Sequence, residues 1–317
     1  MRDVSLLKKR AEIIRETRNF FVKNNYLEVE TPVLSPHLIP ESHLEVFRTK
    51  MISPYSEDID FYLTPSPEIW MKKLLAEGSG SIFQISKSFR NSEQSGFHHN
   101  PEFTMLEWYT VEADYRDSLI ITESLLDHLS QKFNCRQISP PIMKISMKEL
   151  FLTHTAIDIE KYGNSAEFID AAEKAGYGRK EGYSWADAFN SLFLSEVEPE
   201  IPKESPFLIM DYPDQIPCLA KRSRNGPWHE RWELYLGGIE TANCYTEESD
   251  KKAVDRFFRE QMRHKTKAMV PHHVEESYTS IFESSFPECS GVALGIDRLV
   301  MAITGAKRIQ DVISFTF

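Results

Sequence analysis

The sequence predicts an α+β fold in which helices flank a mostly antiparallel sheet. Three observations predict it. Apolar runs of strand length come in hairpin-like pairs. Stretches of helical period stand before, between and after them. No internal repeat, low-complexity tract or linker divides the chain.

The first element is a helix over residues 4–24. Leu7, Ile14 and Phe21, flanked by Leu6, Ile13 and Phe20, recur at helical spacing with Lys and Arg between them. LEVETPVL follows as a strand with Pro32 inside it. Proline lacks a ladder donor, so this strand is an edge, a bulge or an interface element. FYLTPSPEIWMKKLLAEG reads as a strand end, a turn and a helix. Pro67 suits the first helical turn, Glu68 the positive end of the dipole, and Gly78 the stop. SIFQISKS and FTMLEWYTVEADY are apolar strands. The polar loop joining them starts at Arg90 and far exceeds the roughly two to five residues of an ordinary hairpin turn. A helix near 114–133 comes next, then a less patterned insert with helical segments over 135–200. PFLIMDYP is a strand and RWELYLGGIETANCYT a strand pair or bend. KKAVDRFFREQMRHKTKAM is a charged helix. CSGVALGIDRLVMAITG is a strand running into a helix.

With 317 residues, 41% hydrophobic and 12% aromatic, the chain can bury a sizeable core in one large domain or two small ones. A net charge of -11 disfavours general nucleic-acid affinity and leaves room for a local basic patch. Cys135, Cys218, Cys244 and Cys289 form no CxxC pair, so they read as reduced thiols rather than a disulfide frame or zinc site. The N-terminus has no apolar signal region, and no stretch approaches the roughly 20 apolar residues of a membrane span. A soluble cytoplasmic protein with no membrane partner is expected.

Four segments carry chemistry. Arg90 ends a strand where its fork can hold a phosphate, with Glu93, His98, His99, Asn100 and Glu102 as further polar groups and Phe103 as a stacking face. In GVALGIDRL, Gly291 and Gly295 permit close backbone approach and Arg298 sits just inside a helix. The two arginines can clamp one polyphosphate or one purine ring. Glu233, Glu240 and Glu247 recur seven apart, and carboxylates paired on neighbouring strands suit Mg²⁺ on nucleotide phosphates. Glu68, Glu107 and Tyr109 add more acid and a phenol. Singly, each residue has an ordinary reading: a surface arginine, a solvated strand-face acid, a turn glycine, a satisfied core tyrosine. Together they offer cations for a triphosphate, carboxylates for magnesium and spare carboxylates for an amine, which suits activation of an amino acid by ATP.

Motif by motif, the chain resembles the class II aminoacyl-tRNA synthetases. LEVETPVL with its helix is similar to motif 1, FRN…HHNPEFTMLEWY to motif 2 and GVALGIDRL to motif 3. TPSPE and GGIETAN place the resemblance in the lysyl branch. The first helix starts near residue 4, leaving no room for the anticodon-binding OB domain of that branch. The chain is therefore identified with the stand-alone EpmA/PoxA/GenX family, which attaches lysine, preferably (R)-β-lysine, to a lysine of elongation factor P. PECSG before motif 3, and Ala293 where lysyl-tRNA synthetases carry glycine, agree with it.

The resemblance implies one catalytic domain over 1–317 with 135–200 as an insert, and a six- or seven-stranded sheet. It implies a homodimer through motif 1, marked by Pro32. It assigns Arg90 to the α-phosphate and substrate carboxylate and Arg298 to closing the nucleotide pocket. Asn91, Glu93 and Asn100 line the ATP site, with Ser92 the competing register to Glu93. Phe103 stacks on adenine, Thr241 lies beside the nucleotide and Gly295 floors its pocket. Glu233 and Glu240 hold magnesium. Ser66, Pro67 and Glu68 contact the substrate amino group, Glu107, Tyr109 and Glu247 bind the distal ammonium, and Ala293 bears on the lysine isomer. Two positions depart from the family: RNSE replaces RNE, and Cys244 replaces a glycine near the lysine site, where a larger side chain narrows the pocket or shifts its preference. The implied acceptor is elongation factor P, with no stable tRNA binding. The rival readings are a tRNA-directed or small-molecule lysine-activating paralogue and a non-catalytic regulatory module.

Overall fold

The computed structural model describes residues 4–42, 44–92, 96–178, 182–283 and 286–316. Its strands are β1 (Leu27–Glu28), β2 (Leu34–Ser35), β3 (Phe47–Met51), β4 (Ile59–Leu63), β5 (Ile82–Phe89), β6 (Glu102–Val111), β7 (Met143–Ser146), β8 (Phe207–Pro213), β9 (Trp228–Leu236), β10 (Ile239–Thr246) and β11 (Cys289–Gly295). Its helices are α1 (Val4–Lys23), α2 (Glu68–Ala76), α3 (Tyr115–Phe133), α4 (Met147–Thr155), α5 (Ser165–Lys174), α6 (Trp185–Leu192), α7 (Lys251–Lys265), α8 (Ile296–Thr304) and α9 (Ile309–Val312). Among the described residues, no helix is long and apolar enough to cross a membrane.

The main sheet runs β1-β5-β6-β11-β10-β9-β8-β7, and β2-β4-β3 form a smaller one. Eight strands replace the six or seven expected. The surplus lies at the edges, where β1 pairs with β5 and β7 with β8, both in parallel. Two and four residues are too few to show a period in sequence. LEVETPVL is likewise two strands, not one. Leu27 and Val29 donate backbone N–H groups to Ser81 and Phe83 at 3.0 and 2.9 Å, and beyond Pro32 the chain joins β4 of the small sheet. Proline has no N–H to continue the ladder, so the chain changes sheet there.

The long-loop hairpin is as expected: Phe89 pairs with Glu102, so residues 90–101 form its tip. The β9–β10 hairpin turns through Gly237 and Gly238, both with positive φ (65° and 76°), the backbone a two-residue turn needs.

One face of the sheet is apolar. Trp108, Leu234, Val292 and Leu294 pack there against Phe21 of α1, Leu125 of α3 and Leu299 of α8. Each such side chain contributes about 1.5–3 kcal/mol by leaving water. Asp114 starts α3 with a capping box, accepting from the backbone N–H groups of Arg116 and Asp117, worth about 1 kcal/mol. The other face is shared. At its β8–β9 end, residues 147–201 lay an aromatic cluster of Phe151, Phe168, Trp185 and Phe189 over Phe207, Ile209 and Tyr235. At the opposite end, α2 seats Met71 and Leu75 against Ile82, Tyr109 and Cys289. Near it α7 brings Val254 and Phe258 to Ile69 of α2. The functional side chains stand between these two walls.

Candidate active site

Strand geometry makes the site. Side chains alternate between faces, so Trp232, Leu234, Ala242, Cys244, Val292 and Leu294 enter the core. Their neighbours Arg231, Glu233, Asn243, Tyr245, Gly291 and Ala293 face the other way. All of these but Glu233 border a cleft of about 500 Å3 or the inner recess of about 90 Å3 that it runs into.

The cleft is its cationic half. Arg90 follows β5 directly, and its guanidinium lies 5.3 Å from the centre of the Phe103 ring. Arg298, in the first turn of α8, donates to the Glu240 carbonyl at 2.6 Å and to the His98 carbonyl at 3.4 Å. It also meets His99 Nε2 at 2.9 Å. Burial and then Arg298 hold the His98 imidazole below its usual pKa, so it is neutral at pH 7. Asn100 donates to the Glu102 carbonyl at 2.6 Å and bends the loop inward. Thr241 and Gly295 line the same space. A methyl on Gly295 would sit 3.8 Å from both the Thr241 carbonyl and Arg298 Cδ, ordinary contacts that would only raise the floor.

Glu240 opens into this cleft, its side chain 43% exposed and 3.9 Å from Arg298. Partial desolvation and then the neighbouring Glu233 raise its pKa. Glu233 sits beneath, accepting from Arg231 at 2.6 Å, from Tyr235 at 2.9 Å and from Tyr212. A carboxylate whose proton affinity is raised by an acid beneath it is a donor that a divalent cation relieves. Among the described residues, no group of three or more His, Cys, Asp or Glu side chains gathers to hold a metal unaided.

The recess is the anionic half. Glu68, Glu107, Tyr109 and Glu247 meet there, with Ser66 at the rim. Lys72, only 1% exposed, lies 2.6 Å from Glu68 Oε1 and 2.6 Å from Glu247 Oε2. Burial pulls its pKa down, but Glu247 and Glu68 together push it further up, so it stays charged. Tyr109 donates to Glu107 Oε1 at 2.7 Å. Glu107 Oε2 is buried without a hydrogen-bond partner. Burial, then repulsion from Glu68, pushes Glu107 up to about 8. Burial also pushes Glu247 up to about 7, with Lys72 opposing and Glu68 adding. A carboxylate this poorly solvated is waiting for a cation or a proton. Gly291 makes room for the pair above it: a Cβ there would run into Glu247 Oε1 and lie 2.6 Å from Tyr109 Cε1.

Most predicted residues therefore converge, and some do not. Arg90, Asn100, Phe103, Glu240, Thr241, Gly295 and Arg298 border the cleft; Ser66, Glu68, Glu107, Tyr109, Glu247 and Ala293 border the recess. Asn91 is at neither. It ties the loop base down, donating to the Val46 carbonyl at 3.2 Å and pairing with Glu45. Ser92 is exposed with φ 61° and is also outside the lining, and Glu93 lies outside the described residues. Pro67 precedes α2 as its cap and leaves the contact to its neighbours. Glu233 supports from below. Cys244 corrects an expectation: it is fully buried in the core, Sγ 3.3 Å from Ser290 Oγ, and does not narrow the recess. Alternation decides this, because Asn243 and Tyr245 take the site face.

Sequence reasoning missed Lys72, Arg231 and Glu41. Lys72 follows Glu68 by four residues on one helix, a spacing that signals an ion pair. Its neighbour Lys73 looks the same in sequence, yet it points outward to Glu275. Only the packing of α2 tells them apart.

Comparison with known proteins agrees with this geometry. The family model described as tRNA synthetases class II (D, K and N) matches residues 2–317. The chain is 39% identical over 316 residues to an elongation factor P--(R)-beta-lysine ligase of Haemophilus influenzae, covering 99% of this chain and 95% of that protein. It is similar to proteins of the same name from Erwinia tasmaniensis, at 39% identity over 99% of this chain and 95% of the relative, and Salmonella typhi, at 38% over 98% and 94%. An α+β sheet carrying a cationic cleft and an anionic recess on one face, matched along its length, makes this chain a member of the class II tRNA synthetases of the D, K and N group.

Proposed function

We propose that this protein activates lysine, in particular (R)-β-lysine, with ATP and transfers it to the ε-amine of a lysine on elongation factor P. One observation carries the substrate class: the buried Glu107 carboxylate, with one oxygen unpartnered, ends a recess that opens onto two arginines. Such a recess favours a long side chain ending in a cation, and an apolar side chain would leave Glu107 unpaired. The relatives' names support the acceptor.

In the reaction the substrate carboxylate attacks the α-phosphorus of ATP. The P–O bond to pyrophosphate breaks and an aminoacyl-adenylate forms. The acceptor amine then attacks the acyl carbon, loses a proton and expels AMP. Arg90 steadies the charge gathering on the α-phosphate, and Arg298 the departing phosphates. Phe103 stacks on adenine, with Asn100, Thr241 and Gly295 shaping its pocket and Asn91 and Ser92 setting the loop. Ser66 and Glu68 hold the reacting end of the substrate, and Pro67 starts the helix that carries Glu68. Glu107, Tyr109 and Glu247 hold its distal ammonium, and Ala293 shapes the wall between. Glu240, with Glu233 behind it, would hold magnesium, which neutralises phosphate charge when bound. No side chain need act as a nucleophile; positioning and charge neutralisation supply the rate.

We also propose a homodimer. Val22, Leu27 and Leu34 are 54%, 53% and 45% exposed around β1 and β2, an apolar surface a second copy would cover. A monomer in sedimentation would remove that part of the proposal. The functional test supplies ATP, magnesium and labelled L-lysine or (R)-β-lysine, with elongation factor P in one tube and bulk tRNA in another. Label on elongation factor P, stronger with β-lysine, is the expected result. Label on tRNA would make the protein a tRNA-directed paralogue, and label on neither would favour a regulatory module.

A further inference from the structure

Four carboxylates line the recess: Glu41, Glu68, Glu107 and Glu247. Lys72 is ion-paired with two of them, Glu68 and Glu247. The other two take no ion pair among the described residues. Glu107 stands at the inner end. Glu41 stands at the mouth, where it lines both the recess and the cleft beside Arg90.

A lysine-type substrate carries two ammonium groups and one carboxylate. With the distal ammonium on Glu107 and the carboxylate at Arg90, the second ammonium lies at the mouth. Glu68 is present there, but its Oε1 is already engaged by Lys72. We propose that Glu41 receives the reacting-end amino group of the substrate, opposite Glu68, and so helps decide which diamino-acid isomer is accepted.

The loop bearing Glu41 is built to hold it still. Lys265 Nζ donates to the Glu41 carbonyl at 3.2 Å and also to that of Leu44. Gln261 Oε1 accepts from the Ser42 N–H at 3.0 Å. Both α7 side chains are 4% exposed. Ile39 on one side and Val46 on the other are buried in separate apolar clusters. An ordinary surface acid has no such support. A carboxylate fixed this way can tell an amino group from one displaced by a single carbon, because the pair weakens steeply as contact is lost. Burial and then repulsion from Glu68 also push Glu41 up to about 7, a repulsion that an ammonium between them would relieve.

This proposal rests on the lysine-activating reading, and its test separates the two. ATP–pyrophosphate exchange is measured on wild type, Glu41→Gln and Glu41→Asp with L-lysine, (R)-β-lysine and 6-aminohexanoate, which lacks the reacting-end amino group. Glu41→Gln is expected to raise KM for the lysines about 10- to 100-fold, to leave KM for ATP within about twofold, and to shrink the preference for lysine over 6-aminohexanoate. Glu41→Asp, which keeps the charge, should fall between. An active wild type whose Glu41→Gln variant keeps both lysine KM values within about twofold, or loses ATP affinity to the same extent, overturns the role of Glu41 and leaves the function standing. A wild type stimulated by neither lysine isomer overturns the function and this role with it.

Discussion

The cleft and the recess share one sheet face and three of its strands, β6, β10 and β11, yet they are built on opposite principles. In the cleft the closest contacts of Arg298 are to neutral groups. Arg298 leans on two backbone carbonyls and a histidine, contacts it can exchange for phosphate oxygens at little cost. In the recess the charged groups are acids fixed by rigid neighbours, and Lys72 already offsets two of them. A triphosphate is a common, strongly charged ligand, so its half needs attraction. A diamino acid must be chosen from close analogues, so its half needs a preformed shape in which Lys72 leaves two acids, Glu107 and Glu41, to meet the substrate.

That contrast can be broken most severely at Lys72. Lys72→Met leaves Glu68 and Glu247 facing each other in the interior. It should cost about 3–5 kcal/mol of stability, read as a lowered unfolding midpoint in denaturant, while any folded fraction keeps its ATP affinity. The mirror test is Arg90→Ala. Here ATP–pyrophosphate exchange should fall about 10²- to 10³-fold with the midpoint nearly unchanged, because the arginine serves the transition state and not the core. Near-normal exchange would remove Arg90 from its role.

Glu107→Gln sharpens the comparison from the substrate side. It removes the ionic partner but keeps the shape and the Tyr109 contact. A loss of about 1.5–3 kcal/mol in kcat/KM for lysine is expected, with KM for ATP constant. The smallest effect is in pH. The folded pKa of Glu107, about 8, exceeds its ordinary value of 4.5, so below pH 8 the free protein carries a proton that an arriving ammonium must displace. KM for lysine should therefore fall as pH rises from about 6 and level off near 8, and Glu107→Gln should flatten much of that slope. The sign for stability is the reverse. A raised carboxylate binds more protons folded than unfolded, so the unliganded protein loses stability as pH rises between its ordinary and folded values. Urea midpoints across that range, shallower in the variant, would check it.

What was legible in the sequence depended on how local its cause is. The hairpin under residues 90–101, the β11–α8 junction and α3 announce themselves through alternation, caps and glycines within a few residues. The edge strands did not, since two residues of β1 form a strand only because β5 lies beside them. The same divide runs through the site. Arg90, Glu240 and Arg298 sit in recognisable motifs. Glu41 matters only because α7, more than 200 residues later, grips its loop. Asn91 sits inside a motif, yet its amide is spent on the loop's own base. Spacing along the chain says which groups are present, and packing says which of them are already engaged.

The seam between β6 and β11 has a consequence in time. Ala293 pairs with Glu107 and Gly291 with Tyr109, partners separated by more than 180 residues of chain. Contacts of such long range close slowly, because a large loop must be ordered first. During synthesis the hairpin bearing Arg90 can pair as soon as residue 111 has emerged, whereas the recess has no floor until residues 289–295 follow. On the proposed roles, a growing or truncated chain thus carries Arg90, the arginine assigned to phosphate, well before it has a recess for an amino acid, and selectivity is the last property that the folding chain acquires.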